Sequence, residues 1–353
     1  MQGSSGKGRR QMVRVEDVAR VAGVSPITVS RALGNPSKVR EETRQKVAAA
    51  VAETGYVVNS FASSLRSGRS SIISVFVSNL QNPHFATALQ GCADALEGSA
   101  YHLLMAQTGY SDTLQQQMLE QVLPFRPAAA MFTGLVQSEQ TRETLRRFGV
   151  PVMEMWDYRP DPVDMLVGFS NSGGGRLMGA HFRERGFRKV AYVGRTADRG
   201  AQRLAGFREG YGGDPALVLA MEGSRTFGDG MQALEEVRRD LPGCDAIFFA
   251  TDVLAVGAML KARQLGLNVP DDIAIAGYGD LETSRHMATP LTTVHVSSYH
   301  MGHAAGSLLL KRLRSEAIGE RIVLSPIRLE VRESTAGAVS GQVDNEPRES
   351  AAG

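Results

Sequence analysis

Six residues near the N-terminus have types and spacing suited to touching a nucleic acid. In "VSPITVSRAL", residues 24–33, Ser25 is placed to cap a helix, Pro26 suits its first position, and Val29, Ala32 and Leu33 recur at helical spacing. The opposite face keeps Ile27, Thr28, Ser30 and Arg31. Arg31 carries a planar fork that can pair bidentately with guanine. Pro26 and Ile27 are placed to face base edges, while the hydroxyls of Ser25, Thr28 and Ser30 suit phosphate oxygens.

Catalytic and metal chemistry has less to stand on. "NSGGG", residues 171–175, follows a strand and opens a helix, but it has neither G-x-G-x-x-G nor a P-loop lysine and reads as a turn facing a cleft. His300 and His303 share one helix face without a carboxylate partner, and nothing resembles a G-x-S-x-G nucleophile turn. Cys92 and Cys244 lie far apart in apolar contexts, as reduced core thiols do. The expectation is a protein that is not an enzyme and holds no cofactor and no metal.

The elements that position the first group are three short helices. Val15, Val18, Ala19 and Ala22 recur at i, i+3, i+4 and i+7; Gly23 then breaks the helix before Ser25 starts the next. Two short helices joined at a glycine turn form a helix-turn-helix, whose second helix enters the major groove. In "VREETRQKVAAAVAETGY" the inward stripe is read as Val47, Ala48, Val51 and Ala52. Charge agrees: residues 1–69 hold 12 Lys/Arg against 5 Asp/Glu, and the rest of the chain 27 against 32. A basic head on an acidic body is the footprint of a DNA-binding module joined to something else.

From Ser71 the pattern changes to apolar strands ("SIISVFV", "AYHLLMAQ", "AAAMFTG", "VPVMEM", "MLVGFS", "KVAYVG", "DAIFFAT", "IAIAGY") alternating with amphipathic helices. That alternation predicts parallel sheets, and eight strands are too many for one ordinary sheet, so two similar lobes facing a cleft are expected. With 42% hydrophobic residues the chain can bury a large core. No signal-type segment follows "MQGSSGKGRR" and no apolar run nears the roughly 18 residues of a membrane helix, which predicts a cytoplasmic protein without membrane contact.

"VEDVARVAGVSPITVSRALGNPSKV" and the segment through "SNLQNPHF" resemble the lactose-repressor and galactose-repressor family of bacterial transcription regulators, from about Val13 to about Thr335. With "MEMWDYRPDPVDMLVGFSN" and "GYGDLE" the likeness is to its gluconate-utilisation repressor branch. The resemblance implies an N-terminal all-α helix-turn-helix domain (13–58), a hinge (59–69), a two-lobed α/β core like a periplasmic binding protein with parallel sheets (70–335), and a disordered tail (336–353). Asn59, Ala62 and Leu65 fall on the family's hinge pattern, in which the leucine wedges into the minor groove, although Val58 replaces the usual proline. The core is expected to be crossed near Phe169, Val296 and Ser325.

The same resemblance implies a repressor that binds a pseudo-palindromic operator in double-stranded DNA as a homodimer and responds to a small-molecule effector. Arg203 matches the family's ligand-holding arginine. Thr251 replaces an asparagine ahead of Asp252, Gly279 stands where an acid or amide is usual, Arg225 stands where an aromatic is common, and Arg195 follows a strand. These exchanges favour an anion, gluconate or a related sugar acid. Phe85 and Trp156 are expected as flat walls, Asp157 or Glu154 as hydroxyl acceptors, and Asp280 as a further contact. A neutral-sugar regulator is the alternative; a transport solute-binding protein, of another class, is disfavoured by the basic head and the missing signal segment.

Overall fold

The computed structural model describes residues 13–34, 36–56, 70–222 and 226–336. The chain divides into two compact units between Ser70 and Ser71.

In the first unit α1 (Val15–Ala22), α2 (Pro26–Gly34) and α3 (Glu41–Thr54) enclose Val18, Ala19, Val29, Ala32, Val47 and Ala50. Gly23 ends α1 at φ 66°, a left-handed conformation that costs glycine little. The Ser25 hydroxyl then accepts the Thr28 amide at 3.1 Å, capping α2. The inward face of α3 differs from the expected stripe. Ala50 is buried beside Val47, whereas Ala48 and Ala52 are exposed. In a run of alanines the apolar period has no contrast, so residue identity does not set its phase.

The second unit begins with β1 (Ile72–Val77), α4 (Pro83–Ala95), β2 (His102–Gln107), α5 (Asp112–Val122), β3 (Ala129–Phe132), α6 (Glu139–Phe148), β4 (Val152–Met155) and β5 (Met165–Gly168). It continues through α7 (Asn171–Glu184), β6 (Val190–Gly194), α8 (Asp198–Tyr211), β7 (Leu217–Ala220), α9 (Phe227–Asp240), β8 (Ala246–Phe249), α10 (Asp252–Gln264) and β9 (Ala274–Gly279). Then come α11 (Glu282–Arg285), β10 (Thr292–Val296), α12 (Ser298–Leu313), β11 (Ile322–Leu324) and β12 (Ile327–Glu330).

The strands form two six-stranded sheets, ordered β11-β5-β4-β3-β1-β2 and β12-β10-β9-β8-β6-β7. All pairs are parallel except β10 with β12. The chain therefore passes between lobes after β5, after β10 and between β11 and β12, which puts the crossings at Phe169, just past Val296 and at Ser325. Twelve strands stand among the described residues, against the eight expected. The four extra ones, β7, β10, β11 and β12, are edge or near-edge segments, three of them only partly buried; β10 and β12 mix polar with apolar residues, while β7 and β11 are apolar but only four and three residues long.

Each lobe keeps a core on its sheet. Phe76, Leu119, Phe132 and Leu145 pack in the first lobe, and Val193, Leu234, Phe249 and Leu254 in the second. A larger apolar cluster, including Phe85, Trp156, Phe169, Phe207 and Tyr278, runs through both lobes beside the crossings. The "NSGGG" stretch is not the cleft-facing turn expected of it. It opens α7, and its glycines let α8 lie almost backbone against backbone: a Cβ on Gly175 would stand 2.0 Å from the Arg203 carbonyl oxygen, and one on Gly206 1.9 Å from that of Ser172. The glycines set how deeply α8 sits, and α8 carries the side chains that matter next.

Candidate functional site

Strands of both lobes end at one cleft of about 1040 Å³, counted to its open mouth. Such crevices beyond the carboxyl ends of parallel strands are where open α/β sheets bind ligands. Apolar walls come from Phe85 and Trp156, whose ring centroids are 5.0 Å apart edge to face, and from Phe169 behind them. Trp156 holds a left-handed backbone at φ 74°, and its indole N–H is buried without a partner.

Three arginines line the cleft. Arg203 and Arg199, four residues apart, share one face of α8, and Arg195 follows β6. Arg203 donates from Nε to Asn171 Oδ1 at 2.9 Å and from a terminal nitrogen to the Ala250 carbonyl at 2.5 Å, and it lies over the Tyr278 ring. Arg199 reaches across to the Thr133 carbonyl at 3.1 Å and stands over Phe85, and burial pushes its pKa below the ordinary arginine value. Arg195 pairs with Asp198 at 2.7 Å and stacks on Tyr110 of the other lobe.

The acids nearby are engaged. Asp198 serves Arg195. Asp252 is fully buried and receives the Leu281 amide at 2.8 Å, the Ser284 hydroxyl at 2.7 Å and the Thr293 hydroxyl at 2.6 Å, while burial pushes its carboxyl above the usual carboxylate range. Thr251 lines the cleft and caps α10 through the Leu254 amide.

Several expected contacts lie elsewhere. Asp157 accepts from the Tyr158 amide, Asn171 and Gln202, and it borders a smaller polar recess beside the cleft rather than the cleft wall. Glu154 is fully buried and accepts the Val136 and Val163 amides at 2.7 and 2.6 Å, so it braces two loops. Asp280 is turned away. At φ 60° its carboxylate is held by Arg332 at 2.6 Å, Arg285 at 2.8 Å and His295 at 2.7 Å. With His295 and Glu330 it forms a group of metal-type donors, but arginines already supply the positive charge there. Arg225 and the hinge residues Asn59, Ala62 and Leu65 lie outside the described residues.

Residue-type reasoning missed His84 and Arg199. Arg199 carried a usable signal, its spacing of four from Arg203. His84 carried none, because its importance comes from β9 in the other lobe. Its Nδ1 lies 3.0 Å from the Ser298 hydroxyl, and its Nε2 is enclosed without a partner. Burial, helped by Arg203 nearby, pushes its pKa down to about 4, so the ring is neutral near pH 7.

On the first unit, Ser25, Pro26, Ile27 and Arg31 are exposed, Ile27 at 66%, and Thr28 and Ser30 are partly so. An exposed isoleucine at the start of α2, beside an exposed arginine, is the surface expected of a groove-reading helix. The Ser25 and Thr28 hydroxyls bond each other at 2.9 Å, so part of their capacity goes to the cap.

Known proteins match both units. The model of the lacI family of bacterial regulatory proteins matches residues 14–59, and that of a periplasmic binding protein-like domain matches residues 180–335. The HTH-type transcriptional regulator GntR of Escherichia coli (strain K12) is 32% identical over 313 residues, covering 88% of this chain and 94% of its own. A LacI-family transcriptional regulator from Silicibacter pomeroyi superposes with a TM-score of 0.85 at 28% identity, over 92% of this chain and 99% of that one. The lac repressor dimer bound to operator and the anti-inducer ONPF superposes with a TM-score of 0.74 at 26% identity, over 92% and 99%.

Proposed function

The chain belongs to the lacI family of bacterial regulatory proteins and is a DNA-binding transcription regulator, and from that premise we propose that it is a repressor whose effector is a sugar acid of the gluconate type. The observation that carries the effector class is the pair of guanidinium groups, Arg199 and Arg203, that line the cleft with no carboxylate partner among the described residues, Arg195 being paired with Asp198 and Asp252 held in its own hydrogen bonds. A carboxylate or phosphate beside flat aromatic walls satisfies such a lining; a neutral polyol leaves its positive charge unanswered.

The reading assigns residues 13–58 to DNA, 59–69 to the hinge, and 70–335 to effector binding and pairing. Two copies are required because a two-fold protein matches two half-sites. The exposed Leu104 and Met105 on the edge strand β2 support such pairing. Binding, not catalysis, is the activity. No helix among the described residues is long and apolar enough to cross a membrane, and the protein works in the cytoplasm, where its operator lies.

Calorimetric titration with gluconate, 6-phosphogluconate, 2-ketogluconate and glucose tests the effector class. One of the acids is expected to bind at least tenfold tighter than glucose, a difference of about 1.4 kcal/mol. Glucose binding best would overturn the acid effector and leave the regulator assignment standing.

A further inference from the structure

Gly279 closes β9 at φ 132°, and a Cβ built on it would meet His84 Nε2 at 2.1 Å. The imidazole from the first turn of α4, in one lobe, therefore fills the space that any side chain at 279, in the other lobe, would need. The place that a side chain on residue 279 would take is held by a histidine from 84.

The hydrogen-bond sense of that histidine follows from its neighbour. The Ser298 hydroxyl has a poor alternative acceptor, the Val296 carbonyl at 3.5 Å, and a good one, His84 Nδ1, at 3.0 Å. Ser298 thus donates to Nδ1, and the ring proton of the neutral imidazole stays on Nε2. The indole N–H of Trp156, in the same cleft wall, is the second enclosed donor without a partner. Nearby amide oxygens are taken: Asn82 Oδ1 receives the His84 amide, Asn79 Oδ1 that of Gln81, and Asn171 Oδ1 Arg203 Nε. Two unpartnered N–H groups beside guanidiniums accept nothing. Of the unpartnered polar atoms among the described lining residues, the Tyr278 hydroxyl alone can accept a ligand's proton, whereas a carboxylate oxygen has no proton to place and takes several donors at once.

We propose that His84 is a specificity-determining residue of the effector cleft, its Nε2–H receiving a carboxylate oxygen of the effector at the spot a side chain on residue 279 would otherwise occupy. The assignment rests on the acid-effector reading and gives that acid its contact in the first lobe, with Trp156 Nε1–H beside it and Arg203 in the second.

The test compares the full-length parent protein with His84→Gln, which keeps an N–H donor, His84→Met, which fills the space without one, and Trp156→Phe, which keeps a ring and loses the indole N–H. Each is titrated calorimetrically with gluconate and with glucose, and the readout is the affinity ratio, which a purely structural role would not move. His84→Met is expected to lower the gluconate-to-glucose ratio about tenfold or more, Trp156→Phe to lower it by less, and His84→Gln to keep most of it. If the parent prefers gluconate and His84→Met, or Trp156→Phe should His84→Met not fold, discriminates as well as the parent, the donor assignment is wrong alone. Equal loss in His84→Gln and His84→Met also overturns it. A parent that binds glucose as tightly as gluconate overturns both the assignment and the reading beneath it.

Discussion

The guanidinium carbon of Arg203 lies 3.8 Å from the centre of the Tyr278 ring, with Nε fixed on Asn171 and one terminal nitrogen on the Ala250 carbonyl. One face is covered by tyrosine and two edges are tied to protein, so the remaining N–H groups are held in place before a ligand arrives. Arg203→Ala should weaken sugar-acid binding by roughly 1.5–3 kcal/mol, tenfold or more. Arg203→Lys should recover little, because an ammonium cannot keep the ring contact and both tethers. Titration of both variants with gluconate checks this, and full recovery by lysine would show that charge alone matters.

Placing an acid at 279 should fail as a single change. Gly279→Asp puts a Cβ against His84 Nε2 and holds a non-glycine residue at φ 132°, a combination expected to cost on the order of 1–3 kcal/mol or more. Thermal unfolding of Gly279→Ala and Gly279→Asp should show a lowered midpoint for both. Adding His84→Ala should relieve the collision and leave the backbone strain, so recovery is partial.

The α7–α8 seam couples stability to the site. Gly206→Ala would press a methyl group onto the Ser172 carbonyl, and the two helices must part, at about 1–3 kcal/mol or more. Because α8 carries Arg199 and Arg203, the same change should reduce acid affinity without touching a cleft residue. A lowered melting midpoint with unchanged affinity would separate the seam from the site.

On the DNA side, Arg31→Ala should weaken operator binding by about 1–3 kcal/mol and relax preference at one base pair per half-site, leaving effector affinity unchanged. Selection of binding sites from a random pool with both proteins reads this directly.

Acid should destabilise the core through two histidines. Burial pushes both His84 and His181 down to about 4, below their ordinary value of 6.5. Above pH 6.5 both are neutral folded and unfolded, and their contribution is flat. As pH falls from 6.5 towards 4 the unfolded chain binds the protons first, so stability drops, on the order of 1–2 kcal/mol per histidine by pH 5. Denaturant unfolding at pH 7 and pH 5, followed by the fluorescence of Trp156, the single tryptophan of the sequence, should show the loss, and His84→Gln should remove part of it.

The helix-turn-helix was legible because its determinants are local: Ser25 caps, Gly23 turns left-handed, and Val18 and Val29 face inward from neighbouring turns. Arg203, Phe85 and Trp156 were legible through resemblance, and the cleft does gather them. Asp280 and Asp157 were misplaced because sequence position at a strand end does not say which way a side chain leaves, and positive φ at Asp280 and Trp156 redirects the chain there. His84 was illegible for a different reason. Its meaning depends on an absent side chain nearly two hundred positions away, brought against it by α4 of one lobe and β9 of the other.

The three crossings at Phe169, past Val296 and at Ser325 also have a genetic consequence. The end of the core supplies β11 to one sheet and β12 to the other, so neither lobe corresponds to one uninterrupted stretch of coding sequence. A single recombination point near the codons for Ser70 and Ser71 exchanges the DNA-reading head whole. Exchanging the second lobe takes three matched breakpoints, and exchanging the first without the head takes four. Operator preference can therefore be traded between relatives in one event, whereas effector preference has to change in place, residue by residue, at positions such as 84 and 279 that compete for one space.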